Sequence, residues 1–442
     1  MVEFDGELRV HPCDNARDVV RARGEGVSPL RVAGILPADR GQDALDTEEQ
    51  GQDALATVGL YVHVPFCRSK CRYCGFYSVP VAGRDTGRLV AALMGELDRY
   101  DGVEFGTAYI GGGSPSALPA AELVGLVRRV AGWLAEDGEF TVECNPGFAP
   151  AQRGYALAEP GQVDAELLAG LRGAGVNRLS LGAQSFRAAE LELLGRGHTV
   201  EDIGRAVEFA RGAGFDNLGL DLIFAIPGST LGDWQYSVEA ALDLGVQHIS
   251  AYSLSFEPET VFDAWRRAGR LCAVDEEMDR TMYEWAVERL GRAGLRQYEI
   301  SNFARPGFEC RHNLGYWANR PFVGVGPGAA SYWQGSRTTN DPDVERYVAA
   351  VESGGEVPGE VQPVGWEDAI CETAVLNLRM RTGIDLAAFQ ERTGRDAIRT
   401  FAGPIRRYRD LGLIEVTDRS VRLTEQALPI ADSVLCDFAA LE

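Results

Sequence analysis

The sequence predicts an α/β protein, a partial (β/α)6 barrel followed by a C-terminal helical, winged-helix-like domain. Three observations lead there. Short apolar runs alternate with helical patterns six times in succession between residues 58 and 295, the signature of a parallel sheet with right-handed crossovers. Polar and glycine-rich residues sit just past or within several of those runs, as in parallel barrels that gather their chemistry at strand carboxyl ends. From about Trp366 the pattern changes to helices followed by a short hairpin.

The elements follow in order. Residues 1–57 are charged and glycine-rich, and Gly41-Gln-Asp-Ala-Leu45 recurs as Gly51-Gln-Asp-Ala-Leu55. This stretch is expected to be a disordered extension, because it offers little apolar surface to offset its ordering entropy. Strands are expected at Leu60–Val64, Thr107–Ile110, Glu139–Glu143, Asn177–Leu181, Asn217–Phe224 and Gln247–Leu254. Helices are expected near Thr86–Tyr100, Ala120–Ala135, Asp164–Ala174, Ala188–Leu194, Glu201–Gly212, Leu231–Leu244 and Asp275–Ala293. Residues 296–365 read as a connecting segment. Residues 366–442 read as the C-terminal domain, with helices near Trp366–Met380, Asp385–Thr393 and Pro404–Leu411 and a hairpin of Ile414–Val416 and Val421–Leu423.

The chain has 442 residues, 43 Lys and Arg and 65 Asp and Glu, for a net charge of −22. That balance argues against broad binding to nucleic acid or an anionic lipid surface. Six Arg and three acidic residues lie between Arg399 and Arg422, read as a solvated face rather than a DNA-binding one. No apolar run approaches the roughly 18 residues of a membrane span, and the start lacks a signal core, so a cytoplasmic protein is expected. Three of nine Cys cluster within eight residues. In a reducing compartment that pattern points to metal or catalysis rather than a disulfide framework.

Cys67, Cys71 and Cys74 follow the first strand in Phe66-Cys-Arg-Ser-Lys-Cys-Arg-Tyr-Cys-Gly-Phe76. Three thiolates on one tight loop can hold three irons of a 4Fe–4S cluster and leave one iron open, since most such clusters have four Cys ligands. Spacing alone leaves zinc as an alternative, with His63 as fourth ligand. Glycines 111–113 allow backbone to approach a ligand closely, because no Cβ intrudes. The same glycines also suit a simple strand-ending turn. Glu143 and Asp221 are acceptors, Gln184 is both donor and acceptor, and Arg196 is a partner for a carboxylate.

The Cys loop resembles the CxxxCxxC signature of the radical S-adenosylmethionine superfamily. Further motifs resemble its coproporphyrinogen dehydrogenase-like branch, and within it the HemW-type heme chaperones. They are Tyr109-Ile-Gly-Gly-Gly-Ser-Pro-Ser116, Glu143-Cys-Asn-Pro146, Ser180-Leu-Gly-Ala-Gln-Ser-Phe186, Gly195-Arg-Gly-His198, Asp221-Leu-Ile-Phe-Ala-Ile-Pro-Gly228, Gln297-Tyr-Glu-Ile-Ser-Asn-Phe303 and His312-Asn-Leu-Gly-Tyr-Trp317. The resemblance implies a barrel of the radical SAM type, a 4Fe–4S cluster on Cys67, Cys71 and Cys74, and S-adenosylmethionine cleaved to a 5′-deoxyadenosyl radical. It implies cofactor contacts from Tyr61, Tyr73, Gly112, Gly113, Ser114, Glu143, Gln184, Arg196, Asp221 and Ser255. Ser114 stands where the family usually has Thr and keeps the hydroxyl.

Two features divide the branch. Coproporphyrinogen dehydrogenases continue the loop to a further Cys, where this chain has Phe76, and residues 1–57 do not resemble their N-terminal segment. The stretch from His312 to Trp317 matches the HNxxYW heme-binding motif, with His312 as the heme-contacting residue and Tyr316 and Trp317 as flat apolar surface. The expected function is therefore a heme chaperone without coproporphyrinogen turnover; the alternative is an oxygen-independent coproporphyrinogen III oxidase of porphyrin biosynthesis. The partners implied are heme, heme-accepting respiratory proteins at the membrane, an electron donor for the cluster and a second copy of the chain.

Overall fold

The computed structural model describes residues 58–147 and 163–441. The extension expected over residues 1–57 lies outside the described residues. Six strands form the parallel centre: β1 (Gly59–Val64), β2 (Phe105–Gly112), β3 (Leu134–Cys144), β4 (Arg178–Gln184), β5 (Leu218–Phe224) and β6 (His248–Ser253). Each pairs in parallel with the next. The helices of this part include α1 (Thr86–Leu97), α2 (Ala120–Ala131), α3 (Ala165–Gly173), α4 (Ala188–Leu194), α5 (Val200–Gly212), α6 (Leu231–Asp243), α7 (Val261–Arg267), α8 (Glu276–Arg292), α9 (Arg311–Trp317) and α10 (Val344–Glu352). Capping boxes at Thr199/Asp202 and Thr230/Asp233 start α5 and α6 by satisfying first-turn N–H groups.

The segment expected as a connector does more. It adds β7 (Arg296–Gln297), β8 (Asn302–Ala304), β9 (Phe322–Val325), β10 (Ala330–Trp333), β11 (Ser336–Asn340) and β12 (Gly359–Pro363). The resulting 12-stranded sheet runs β12-β11-β10-β9-β1-β2-β3-β4-β5-β6-β8-β7. β9 joins β1 in parallel, and the remaining added pairs are antiparallel. The sheet has two ends, so the barrel is partial.

Strand alternation sorts the side chains into two sets. Leu60, Val62, Ile110, Val142, Leu179, Leu220 and Ile249 are fully buried in the main core, and burial at this scale stabilises each by ~2 kcal/mol. The alternate positions, including Tyr61, Tyr109, Glu143, Ser180, Asp221 and Ser250, line a cavity. The strands therefore bring polar groups to the cavity wall although most of their side chains are buried.

The C-terminal part packs α11 (Trp366–Leu378), α12 (Leu386–Thr393) and a helix at Ala402–Asp410 against a three-stranded sheet. That sheet contains the expected hairpin, Ile414–Val416 with Ser420–Leu423, and a third short strand, Ile384–Asp385. In the Arg-rich stretch, Arg399, Arg407, Arg409 and Arg422 each pair with a carboxylate, as a solvated face would. No described helix is long and apolar enough to cross a membrane.

Candidate functional site

The Cys loop leaves β1 and is held on both flanks. A short parallel pairing joins Phe66–Cys67 to Val79–Pro80. The Arg72 N–H donates to Leu194 O (3.0 Å), and its guanidinium donates to Glu192 O (2.8 Å) and Leu193 O (3.1 Å) at the end of α4. The Phe262 N–H donates back to Arg72 O at 2.9 Å. Cys67, Cys71 and Cys74 are free, half-buried thiols that line one cavity of about 520 Å³. Burial raises the Cys67 thiol to about 11, which a bound cation would reverse. Among the described residues, no three His, Cys, Asp or Glu side chains converge on a single ion. His63, the fourth ligand of the zinc alternative, instead bonds the Tyr61 hydroxyl through Nδ1 (3.1 Å) and stacks on Tyr77. Among the other described cysteines, Cys144, Cys310, Cys371 and Cys436 are free; Cys272 is disulfide-bonded, which corrects its reading as an ordinary thiol in a chain without disulfides.

All fourteen residues singled out from the sequence line this one cavity. At its cluster end, Arg196 is 7% exposed. Its Nη1 donates to Cys71 Sγ at 3.3 Å and its Nη2 to Gly182 O at 2.8 Å and to Asn145 Oδ1. Its Nε has no partner. Arg196 thus supplies positive charge to the thiols through one nitrogen and keeps another donor unused. Tyr73 packs beside Phe262, and the Ser255 hydroxyl donates to Glu257 at 2.8 Å. Gln184 ends β4 with a left-handed φ of 67°, where the β4–β5 register shifts.

The glycine run does something other than present N–H groups. The N–H of Gly112 donates to Glu143 Oε2 (3.2 Å), that of Gly113 to Val64 O (2.9 Å) and that of Ser114 to Phe66 O (2.8 Å). These donors join the end of β2 to β1, to Phe66 just beyond it and to Glu143 of β3, as in the strand-ending turn that is the other reading of the glycine run. The missing side chains matter instead. A Cβ at Gly112, where φ is 112°, would lie 2.6 Å from the His63 ring, and one at Gly113 would lie 2.6 Å from Phe66 O. Ser114 Oγ accepts from Asn145 Nδ2 at 2.9 Å.

Glu143 accepts from the Tyr109 hydroxyl at 2.7 Å. Burial, with lesser help from the Asp221 charge, pushes its carboxyl up to about 7. Asp221 accepts from Ser250 Oγ (2.7 Å) and Ser180 Oγ (3.1 Å), and burial raises its pKa as well. These two carboxyls form an acidic belt midway along the barrel.

His312 lies on α9 (Arg311–Trp317), against the amino ends of β1 and β2. It is 3% exposed. Nδ1 bonds Thr107 Oγ1 at 2.8 Å and Nε2 bonds the Tyr316 hydroxyl at 2.9 Å. The ring stacks on Tyr109 with centroids 5.2 Å apart. Burial lowers its pKa to about 3, so the imidazole is neutral. Both nitrogens are engaged, and neither is free for iron in this conformation. The Trp317 face, expected as open apolar surface, is covered by Arg379 at 4.7 Å.

Two residues escaped the sequence reasoning. Glu139, 5% exposed, accepts from the backbone N–H of Arg311 (2.9 Å) and His312 (3.0 Å). It caps α9 from another strand, because Cys310 provides no side-chain cap. Arg178, 2% exposed with Nε unpartnered, also lines the cavity. Both sit toward the amino-terminal side of their strands, away from the carboxyl ends where barrel chemistry is expected.

A model of the radical SAM superfamily matches residues 61–241, and one of the HemN C-terminal domain matches residues 367–430. Among solved structures, Escherichia coli coproporphyrinogen III oxidase (HemN), described as a radical SAM enzyme, superposes with a TM-score of 0.72. That match covers 87% of this chain and 92% of the other at 20% identity, a likeness of fold. Fold and superfamily match together define a radical SAM protein. The heme chaperone HemW of Bacillus subtilis (strain 168) is 35% identical over 385 residues, 86% of this chain and 98% of that protein. Its Escherichia coli (strain K12) counterpart is 36% identical over 282 residues, 62% and 70% of the two chains. The chain belongs to the HemW family of radical SAM proteins.

Proposed function

We propose that this protein is a radical SAM heme chaperone that binds heme and transfers it to acceptor proteins. The observation that carries the reading is the convergence of three free thiols, a buried arginine and an acidic belt on one cavity whose floor is the HNxxYW helix. Membership of a family whose curated members are named heme chaperones supports it.

The residues present fit a 4Fe–4S cluster and S-adenosylmethionine. Cys67, Cys71 and Cys74 would hold the cluster, and the Arg196 guanidinium donates to Cys71 Sγ beside it. Glu143 and Asp221 are placed to accept from an ammonium or from ribose hydroxyls, and Gln184 and Ser114 complete the polar wall. Tyr61 and Tyr73 border the same space, and Ser255 lies at its rim. When bound, the reduced cluster with S-adenosylmethionine supplies one-electron chemistry; the chain's own residues bind, orient and exclude water. His312 is the residue expected to contact heme, and it becomes available when the Tyr316 hydroxyl leaves Nε2. Residues 58–295 would be the radical SAM core and 366–442 a C-terminal domain closing one side of the cavity. Heme-accepting respiratory proteins, an electron donor and a homodimer complete the expected partners, in the cytoplasm.

Anaerobic purification, cluster reconstitution and heme titration test the proposal. Saturable heme uptake without turnover of coproporphyrinogen III is expected. No heme association, together with conversion of coproporphyrinogen III to protoporphyrinogen IX, would overturn it in favour of the oxidase.

A further inference from the structure

One wall of the cavity is built by residues that the cluster and S-adenosylmethionine do not use. Glu299 and Asn302 lie beside β6, Trp317 ends α9, and Arg379 follows α11 of the C-terminal part. All four line the cavity, with exposures of 0%, 3%, 4% and 7%. Each has a buried polar atom without a hydrogen-bond partner: Glu299 Oε2, Asn302 Oδ1, Trp317 Nε1 and Arg379 Nε. Leaving such atoms unpaired costs ~1–3 kcal/mol each.

The two donors are neighbours. The Arg379 guanidinium lies 4.7 Å from the Trp317 ring centroid. Its Nη1 reaches Asp432 at 3.4 Å, a long contact to a carboxylate 37% exposed, and that contact leaves Nε out. On the acceptor side, Glu299 Oε1 already takes the Ser301 N–H (2.9 Å) and Asn302 Nδ2 (2.5 Å). Burial raises the Glu299 carboxyl against the opposing pull of the Arg379 charge.

An ordered water can bridge two or three such atoms, but it brings no charge to offset a buried guanidinium. Two adjacent N–H donors, one of them cationic, are instead complementary to the two oxygens of a carboxylate. The methionine carboxylate of S-adenosylmethionine would have another partner in Arg196, which touches Cys71 at the cluster end.

We propose that Trp317 and Arg379 form a carboxylate subsite that receives a propionate group of a bound tetrapyrrole. The inference rests on the heme reading above and adds the group recognised and the residues that recognise it. It requires only that a carboxylate arm reach this wall, and it makes the C-terminal part a contributor to ligand selection.

The test compares protoporphyrin IX with its dimethyl ester, whose propionates are masked, on the full-length protein. Affinities are read by porphyrin fluorescence for wild type, Arg379→Gln and Trp317→Phe. Wild type is expected to prefer the free acid by about tenfold or more, as for a charge-assisted hydrogen bond. Both variants are expected to lose that preference. Equal binding of acid and ester by wild type overturns the subsite, and this comparison stands even where a variant does not fold. Variants that keep the wild-type preference, or that lose S-adenosylmethionine affinity with the preference intact, overturn it too. A wild type that binds neither porphyrin sinks the heme reading itself, and the subsite with it.

Discussion

Residue by residue, the site is governed by what each polar group already holds. His312 illustrates this. Its two nitrogens are bonded to Thr107 and Tyr316, so a metal ion competes with an internal hydrogen bond. Tyr316→Phe removes one of these bonds and leaves the ring packing in place. Heme affinity is expected to rise about fivefold, the equivalent of one net hydrogen bond of ~1 kcal/mol, whereas His312→Ala lowers it. A heme titration in which Tyr316→Phe matches wild type would show that Nε2 is not the atom released.

The same scale shows why part of the site could be read in advance. Cys67, Cys71, Cys74, Glu143 and Gln184 lie at or near strand carboxyl ends, where barrel chemistry is expected, and Asp221 lies at mid-strand on β5. Glu139 and Arg178 lie toward the opposite ends, and Arg379 comes from a helix far along the chain. No local pattern announces a residue whose role depends on what a distant segment places beside it. The glycine run was legible as a close approach, but not as an approach of protein to protein.

At the scale of elements, α9 is short and borrows its cap. Cys310 makes no side-chain cap, and the Glu139 carboxylate takes the first two N–H groups of the helix. Removing it leaves those donors buried and unpaired. Glu139→Ala is expected to cost ~2 kcal/mol and to speed amide exchange across residues 311–317 selectively. Uniform exchange rates in the variant, or none changed, would contradict the assignment of Glu139 as the cap. Elements also mark the limit of pattern reading. The six strand–helix units follow from apolar periodicity, whereas β7 to β12 are mostly two to five residues long, too short to carry a period. Their pairing is set by tertiary contacts, such as Glu96 on α1. It accepts from the Gly326 N–H (2.8 Å), Asn340 Nδ2 (2.9 Å) and the Tyr347 hydroxyl (2.5 Å).

For the whole molecule, buried neutral histidines tie stability to pH. Burial lowers His63 to about 4 and His198 and His312 to about 3. An unfolded chain binds those protons near pH 6.5 and the folded one does not. Their contribution is fully present above pH 6.5 and is lost as pH falls toward the folded values. Glu143, raised to about 7, acts in the opposite sense: it favours the folded state below about pH 4.5 and loses that contribution as pH rises through 7. Asp221 and Glu299, also raised by burial, act with Glu143, so the histidine contribution is read by difference. Between pH 6.5 and 5 the melting temperature of His198→Gln is expected to drop less than that of wild type, measurable by calorimetry; an identical pH dependence would contradict the burial of that imidazole as a neutral group.

The account depends most on what the loop of Cys67, Cys71 and Cys74 holds, and one measurement addresses it. Anaerobically reconstituted protein is assayed for iron and sulfide, and its reduced form is followed by electron paramagnetic resonance before and after addition of S-adenosylmethionine. About four irons per chain are predicted, with a spectrum that changes when S-adenosylmethionine binds. Zinc in place of iron, or an iron–sulfur signal indifferent to S-adenosylmethionine, would contradict it.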